Sequence, residues 1–392
     1  MLYWLWFTLI NTLSRKQKLE LLQHFTDIEA LYQCKDYQSV LNLTQEQNET
    51  LLDKDLTAAK KLQNVCLRKN IDILTLDNEA YPHRLRNISD PPLVLFCKGV
   101  LPDFNKVPTI GLVGTRKATP YGLGVARKFG KELSQSSGIV VSGGAAGIDT
   151  MALQGALDVD GQTVAVLGCG VDITYPVYNR RLFMQIQEKG CLLSEYLPGT
   201  KPKPWHFPER NRIISGLSNG VLVIEAPEKS GALITAKDAL EQGRDVYVVP
   251  ANIDMPTCVG SNALLGEGAT AVFTGWDIAK IYAPQYPAVM YRDADKSKPQ
   301  LQVAQPAYFS DVDKKDIDNP ANNSYSVKID EDISLTPQEQ KLLSLLSRTP
   351  VSVDEVLAQT DLPAGNALKI ITKLSLEGLV VNHPGGMISK RK

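Results

Sequence analysis

Four stretches of this chain gather residues suited to an anionic ligand. The first, Gly111-Leu112-Val113-Gly114-Thr115-Arg116, follows an apolar run and precedes a helix that the spacing starts near Pro120 or Tyr121. An arginine stands where a dinucleotide-binding loop would carry a glycine. Its planar guanidinium can fork a phosphate, or it can pair with a surface carboxylate. The second, Ser142-Gly143-Gly144-Ala145-Ala146-Gly147-Ile148-Asp149, links an apolar run to a helix start. Small residues let a ligand approach the backbone, and amides at a helix start attract anions. A tight turn without a ligand is the alternative, but three glycines and two alanines leave no side chain to shield the backbone, which favours a phosphate cradle. Asp149 reads as a helix cap before it reads as an acid.

The third stretch, residues 201–212, holds Lys201, Lys203, Arg210 and Arg212, with Trp205 and Phe207, against one acid, Glu209. Cations neutralise phosphates and flat rings stack on unpaired bases, so this mixture suits single-stranded nucleic acid. The alternatives are that one ring belongs to the core, and that Arg210, Asn211 and Arg212 form a structural network. The fourth, Glu225 to Thr235, sets Ser230-Gly231 at another helix start. Glu225 could act as a base, but an ion pair with Arg210 or Arg212 is the simpler role. A P-loop, a nucleophile elbow, a kinase set and a metal-ligand cluster are all missing from the sequence.

Apolar runs at 71–76, 93–97, 109–113, 139–142, 163–167, 191–194, 220–224, 245–249 and 271–274 are rich in Val, Ile and Leu. They read as strands buried on both faces of a parallel sheet. The intervening 122–133, 149–157, 180–187, 211–217 and 232–242 carry helical periodicity. The alternation predicts an α/β fold, an extended Rossmann-like doubly wound parallel sheet over 71–282. Ligands of such sheets bind outside the carboxyl ends of the strands.

Residues 1–70 read as a small helical cap, with Leu19, Leu22, Phe25, Ile28 and Leu31 at helical spacing. Residues 283–334 hold five prolines, nine acids and six bases with few large apolar residues, which predicts a flexible linker. In 335–392 two capping boxes, at Thr336 and Ser352, precede a third helix opened by Pro363 with Leu368, Ile371 and Leu374 on its apolar face. A hairpin follows, giving a winged helix-turn-helix pattern.

Lysine and arginine total 42 against 43 acids, which excludes a globally basic nucleic-acid binder but leaves room for a local basic groove. Six cysteines without paired spacing and four histidines argue for a reduced chain without a zinc cluster. The apolar 1–10 lacks a leading charged region, so it reads as a buried helix of a cytoplasmic protein, with no membrane span.

The ordered set Gly114-Thr115-Arg116, SGGAAGID at 142–149, FPERNRIISGLS at 207–218, Glu225-Ala226, SGALITA at 230–236 and Gly243-Arg244 with VYVVP, over 243–250, resembles the DprA/Smf family of DNA-processing proteins. The likeness spans 71–282. The cap, of a SAM or helix-hairpin-helix kind, and the winged helix are similar to those of longer members. The resemblance implies a non-enzymatic protein without a cofactor that binds single-stranded DNA and protects incoming strands. It also implies a homodimer that helps load RecA recombinase during natural transformation. By the same resemblance, Arg116 grips DNA, and Lys201 or Lys203 with Phe207 add a basic and an aromatic contact. The reading of the loops and helix starts extends the expected DNA contacts to Gly114, Thr115, Ser142, Gly143, Gly144, Ala145, Gly147, Arg210, Asn211, Arg212, Ser230 and Gly231. Dimer or RecA contacts fall on Asn262, Leu265 and Val272. Thr115 replaces the usual serine and keeps its hydroxyl. Two other readings remain: a nucleotide-processing enzyme of the phosphoribohydrolase type, with Glu225 assisting cleavage, and a winged domain that is the main reader, of duplex DNA.

Overall fold

The structure, a computed structural model, describes residues 1–286, 335–347, 351–360, 362–376, 379–383 and 387–390. These fall into two compact units, one within 1–300 and one within 301–392. Most of the expected 283–334 linker lies outside the described residues. Residues 283–286 still belong to the first unit, where Tyr286 is buried and its hydroxyl meets Asn219 and Arg84.

Nine strands form one sheet: β1 Asp72–Thr75, β2 Val94–Gly99, β3 Thr109–Val113, β4 Ile139–Ser142, β5 Thr163–Val166, β6 Cys191–Ser194, β7 Gly220–Val223, β8 Asp245–Val248 and β9 Thr270–Ala271. Their order is β1-β2-β6-β5-β4-β3-β7-β8-β9. From β6 to β9 every neighbouring pair is parallel, while β2 runs antiparallel to both β1 and β6. Each expected apolar run yields a strand. The run at 271–274 yields only an exposed two-residue edge, because Thr274 is recruited as the capping residue of a helix.

Five short helices form the cap: α1 Leu2–Leu9, α2 Arg15–Gln23, α3 Ile28–Gln33, α4 Gln45–Leu52 and α5 Thr57–Arg68. The first buries Trp4, Leu5, Trp6 and Phe7, and the cap shares a core with Phe96 of β2 and Leu192 of β6. Then come α6 His83–Arg86, α7 Pro120–Gln135, α8 Ile148–Leu157, α9 Arg180–Lys189, α10 His206–Leu217, α11 Gly231–Glu241, α12 Val259–Gly266 and α13 Gly275–Tyr282. The periodicity did not mark α6, α12 or α13.

Alternate strand residues feed two separate cores, as a sheet covered on both faces requires. Leu112, Leu222 and Tyr247 pack with α7, α8 and α13, whereas Val113, Val221 and Val246 pack with α10 and α11. Helices α7 and α8 touch backbone to backbone. A Cβ on Gly130 would stand 2.1 Å from the Ala152 carbonyl oxygen, and one on Gly155 would stand 2.1 Å from that of Arg127. Among the described residues no helix is long and apolar enough to cross a membrane.

The second unit holds α14 Pro337–Ser344, α15 Val353–Gln359 and α16 Ala364–Leu376, with a three-stranded sheet of β10 Val351–Ser352, β11 Val380–His383 and β12 Met387–Lys390. Thr336 and Glu339 close the predicted capping box. Ala367, Ile371 and Leu374 are buried, but Leu368 is exposed, because it lies one position off that stripe.

The close contact of α7 and α8 sets a test. Gly155→Ala is expected to lower the unfolding free energy by about 1–2 kcal/mol, overpacking outweighing the helix-propensity gain. Gly124→Ala, on α7 with open space around it, is expected to raise it by up to about 1 kcal/mol. Urea denaturation of both variants reads the difference, and equal shifts would contradict the packing.

Candidate functional site

Strands β3 and β7 lie side by side, yet the helices that follow them go to opposite faces. Helix α7 covers one core and α11 the other. A crevice opens beyond the carboxyl ends of the strands at such a switch. Here it is a cavity of about 400 Å³, walled by the 114–117 loop after β3, Ala145 after β4, Pro227 to Gly231 after β7, and the first turns of α10.

The two loops after β3 and β4 fit together because glycine allows it. Gly147 has φ +80°, and a Cβ there would stand 2.5 Å from the Thr115 carbonyl oxygen. The Ile148 amide donates to that same oxygen at 3.3 Å. Asp149 is buried, and its carboxylate accepts from the amides of Gly143 at 3.1 Å and Ala145 at 3.4 Å. It therefore clips the glycine turn from within instead of capping its own helix. Burial pushes its carboxyl up, against the pull of Arg210 and the two amides. Those two amides are already taken, so the turn offers a ligand less bare backbone than its composition suggests. Ser142, Gly143 and Gly144 are buried, and the Ser142 hydroxyl donates to the Leu112 carbonyl at 2.6 Å. Ala145, Ala146 and Gly147 are the partly exposed members of the turn.

Arg116 is exposed, and its guanidinium carbon lies 5.0 Å from the centre of the Phe207 ring. Phe207 sits in the first turn of α10, against Gly168 and 5.5 Å from the Tyr175 ring. The helix starts at His206, earlier than Pro208 would suggest. The His206 ring is stacked 4.0 Å from Tyr196, with Nδ1 3.0 Å from the Gly168 carbonyl oxygen. Trp205 is 58% exposed, with the Lys203 ammonium 5.3 Å from its ring centre. Neither ring belongs to a hydrophobic core, contrary to the reading that one of them would. Lys117 and Lys229 add exposed cations to the cavity wall; Lys201 and Lys203 are exposed and flank it.

The two arginines of α10 part company. Arg210 is buried beneath the glycine turn, where it donates to the carbonyl of Gly143 at 2.7 Å and to that of Val166. Burial pushes its guanidinium down to about 10. Arg212 turns away from the cavity. It donates to Asp90 at 2.9 Å and to both oxygens of Glu195 at 2.8 and 2.9 Å. Burial would lower its basicity, but Glu195 and Asp90 together hold it up. Asn211 donates to the Gly231 carbonyl at 3.2 Å and ties α10 to the start of α11, where Ser230 is the N-cap.

Glu225 pairs with neither arginine. Its oxygens accept from the Thr119 amide at 2.9 Å and the Thr119 hydroxyl at 2.5 Å, fixing the start of α7. Asn262 bonds both backbone groups of Ala251, and Leu265 is half-buried. Val272 is 1% exposed within the α7–α13 core, so it has no side-chain surface to offer a partner.

A family model described as DNA recombination-mediator protein A matches residues 72–283, more than half of the chain. The chain belongs to this family. A second model, the DprA winged helix domain, matches residues 330–386. Protein Smf of Synechocystis is 37% identical over 327 residues, covering 83% of this chain and 81% of that protein. DNA processing protein DprA of Bacillus subtilis is 43% identical over 210 residues, covering 54% and 71%. DprA of Streptococcus pneumoniae superposes with a TM-score of 0.58 at 33% identity, over 71% of this chain and 97% of that one. The Helicobacter pylori protein, solved for its single-stranded DNA binding mode, gives a TM-score of 0.50 at 30% identity over 55% and 97%.

Within this DprA-family fold, sequence reading passed over Lys117, Lys229, the Asp149 clip and the Thr119–Glu225 pair. The geometry sets a test of the two exposed-looking arginines. Arg212→Ala breaks a largely buried ion network and is expected to cost about 2–3 kcal/mol of unfolding free energy. Arg116→Ala, at the surface, is expected to cost under about 0.5 kcal/mol. Urea titrations decide, and a neutral Arg212→Ala would contradict the structural role.

Proposed function

We propose that this chain binds single-stranded DNA in the β3–β7 crevice. On this reading it works as a cytoplasmic homodimer, without catalysis or cofactor, protects incoming strands and helps load RecA recombinase onto them. The observation that carries the reading is the Arg116 guanidinium laid over the Phe207 ring at the wall of an open, cation-edged crevice. The Helicobacter pylori relative, described by its single-stranded DNA binding mode, supports it.

The physics favours an unpaired strand. Phosphates meet Arg116, Lys117 and Lys229, while Ser230-Gly231 presents a helix start to an anion. Bases stack on Phe207 or the exposed Trp205, at roughly 1–3 kcal/mol per base. A duplex hides those base faces. With a net charge of −1 the body exerts little long-range pull, so affinity rests on this rim. The hydrolase alternative fares worse, because its carboxylate, Glu225, is 1% exposed and holds Thr119.

The homodimer draws support from the open edge of β9, with Phe273 beside it 68% exposed. One crevice grips only roughly five to seven nucleotides, and two on one strand raise the effective concentration.

Arg116→Ala is expected to weaken binding of a labelled oligothymidylate about tenfold by fluorescence anisotropy. It is also expected to flatten the slope of log affinity against log salt by about 0.7, one phosphate contact. Unchanged affinity and slope in a folded variant would remove the proposed grip. Sedimentation velocity at micromolar concentration is expected to give a dimer, and a monomer alone would count against the assembly.

A further inference from the structure

The segment from Gly199 to His206 carries Lys201, Lys203 and the exposed Trp205 alongside the crevice. Its far end is fixed by the His206 contacts described above. Its near end is fixed from elsewhere. The Gly199 amide donates to Asp172 Oδ1 at 2.7 Å, and the Gly170 amide donates to the Thr200 carbonyl at 3.0 Å. A Cβ on Gly170 would stand 2.7 Å from Asp172 Oδ1 and 2.8 Å from the Gly199 nitrogen, so these three pieces pack with no room to spare. Gly199 itself has φ +85° and open space around it. Without the Asp172 bond the Gly199 amide loses its partner, and only the backbone bonds of Thr200, to Gly170 and to Leu197, still hold the turn.

The other oxygen of Asp172 is held by the helical cap. Lys69, at the end of α5, places its ammonium 2.5 Å from Asp172 Oδ2, and the Asp172 side chain is only 8% exposed. Asp172 thus has one oxygen engaged by the segment and the other by the cap. The same cap also reaches residues on either side of the segment, through Arg15 to Glu195 at 3.3 Å and to Glu209 at 3.8 Å.

We infer that Lys69 is a positioning residue: through Asp172 it sets the path of the 199–205 segment, so that the cap tunes the grip on single-stranded DNA. The inference rests on the proposed function of the crevice. It assigns the cap a role in binding without any contact to the strand. Lys69 is 47% exposed, so the pair adds little to global stability, and its effect should appear in affinity.

The test uses the full chain, labelled oligothymidylate anisotropy, urea denaturation, and hydrogen–deuterium exchange of the peptide spanning 197–205. Lys69→Met and Asp172→Asn are each expected to weaken binding three- to fivefold. Asp172→Ala, which also strips the acceptor from Gly199, is expected to weaken it about tenfold. Lys69→Arg keeps the cation and is expected to bind within twofold of the parent. Exchange should quicken in 197–205 and stay unchanged in the sheet strands, with an unmoved urea midpoint. Parental affinity in Lys69→Met and Asp172→Ala would overturn the inference while leaving the crevice reading intact. So would failure of Lys69→Arg to restore binding, or a loss that comes with a lowered midpoint and faster exchange throughout. A parent chain that does not bind oligothymidylate would instead overturn the crevice reading.

Discussion

A buried carboxylate under a glycine turn holds the site together. Asp149 draws the amides of Gly143 and Ala145 inward, Arg210 fills the space that a side chain at 143 would need, and Gly147 lets the turn close on the carbonyl of Thr115. The loops after β3 and β4 thereby become one surface, from which the exposed Arg116 projects. A low-dielectric setting strengthens such a network when its members are satisfied and penalises any that are not. Every substitution of Asp149, Arg210 or Gly143 must therefore disturb the floor before it disturbs any ligand contact.

On that floor the division of labour among cations follows from helix geometry. Residues two apart on an α-helix point about 200° apart around the axis. Arg210 and Arg212 cannot serve one face. One braces the turn and the other ties α10 to Asp90 and Glu195, which the cap also engages through Arg15. Arg116, Lys117, Lys229, Lys201 and Lys203 are left as exposed cations at or beside the crevice, spread over several loops.

Much of the sheet was legible in the sequence because its strands are apolar on both faces, which leaves a run of Val, Ile and Leu that no amphipathic helix produces. The weak edge was not: 271–274 reads as a strand, yet Thr274 satisfies the start of α13 and Phe273 is left outside. At the site, Arg116 and the glycine turn could be found from their place after strands. The partners of Glu225 and Arg212 could not: Thr119 lies 106 positions from Glu225, and Asp90 and Glu195 lie 122 and 17 positions from Arg212, each in another segment with no spacing signal. Val272 shows a related limit, its side chain being buried in the α7–α13 core. A resemblance can place a segment at an interface, but only packing tells which side chain faces in.

The most direct measurement of the central claim is photochemical. An oligothymidylate carrying 5-iodouracil, bound to the full chain, irradiated and mapped by peptide mass spectrometry, reports which rings lie on the bases. The account predicts adducts at Phe207 and Trp205, at the rim that Arg116 shares. Adducts confined to α12 and α13, or to the 335–392 unit, would contradict it.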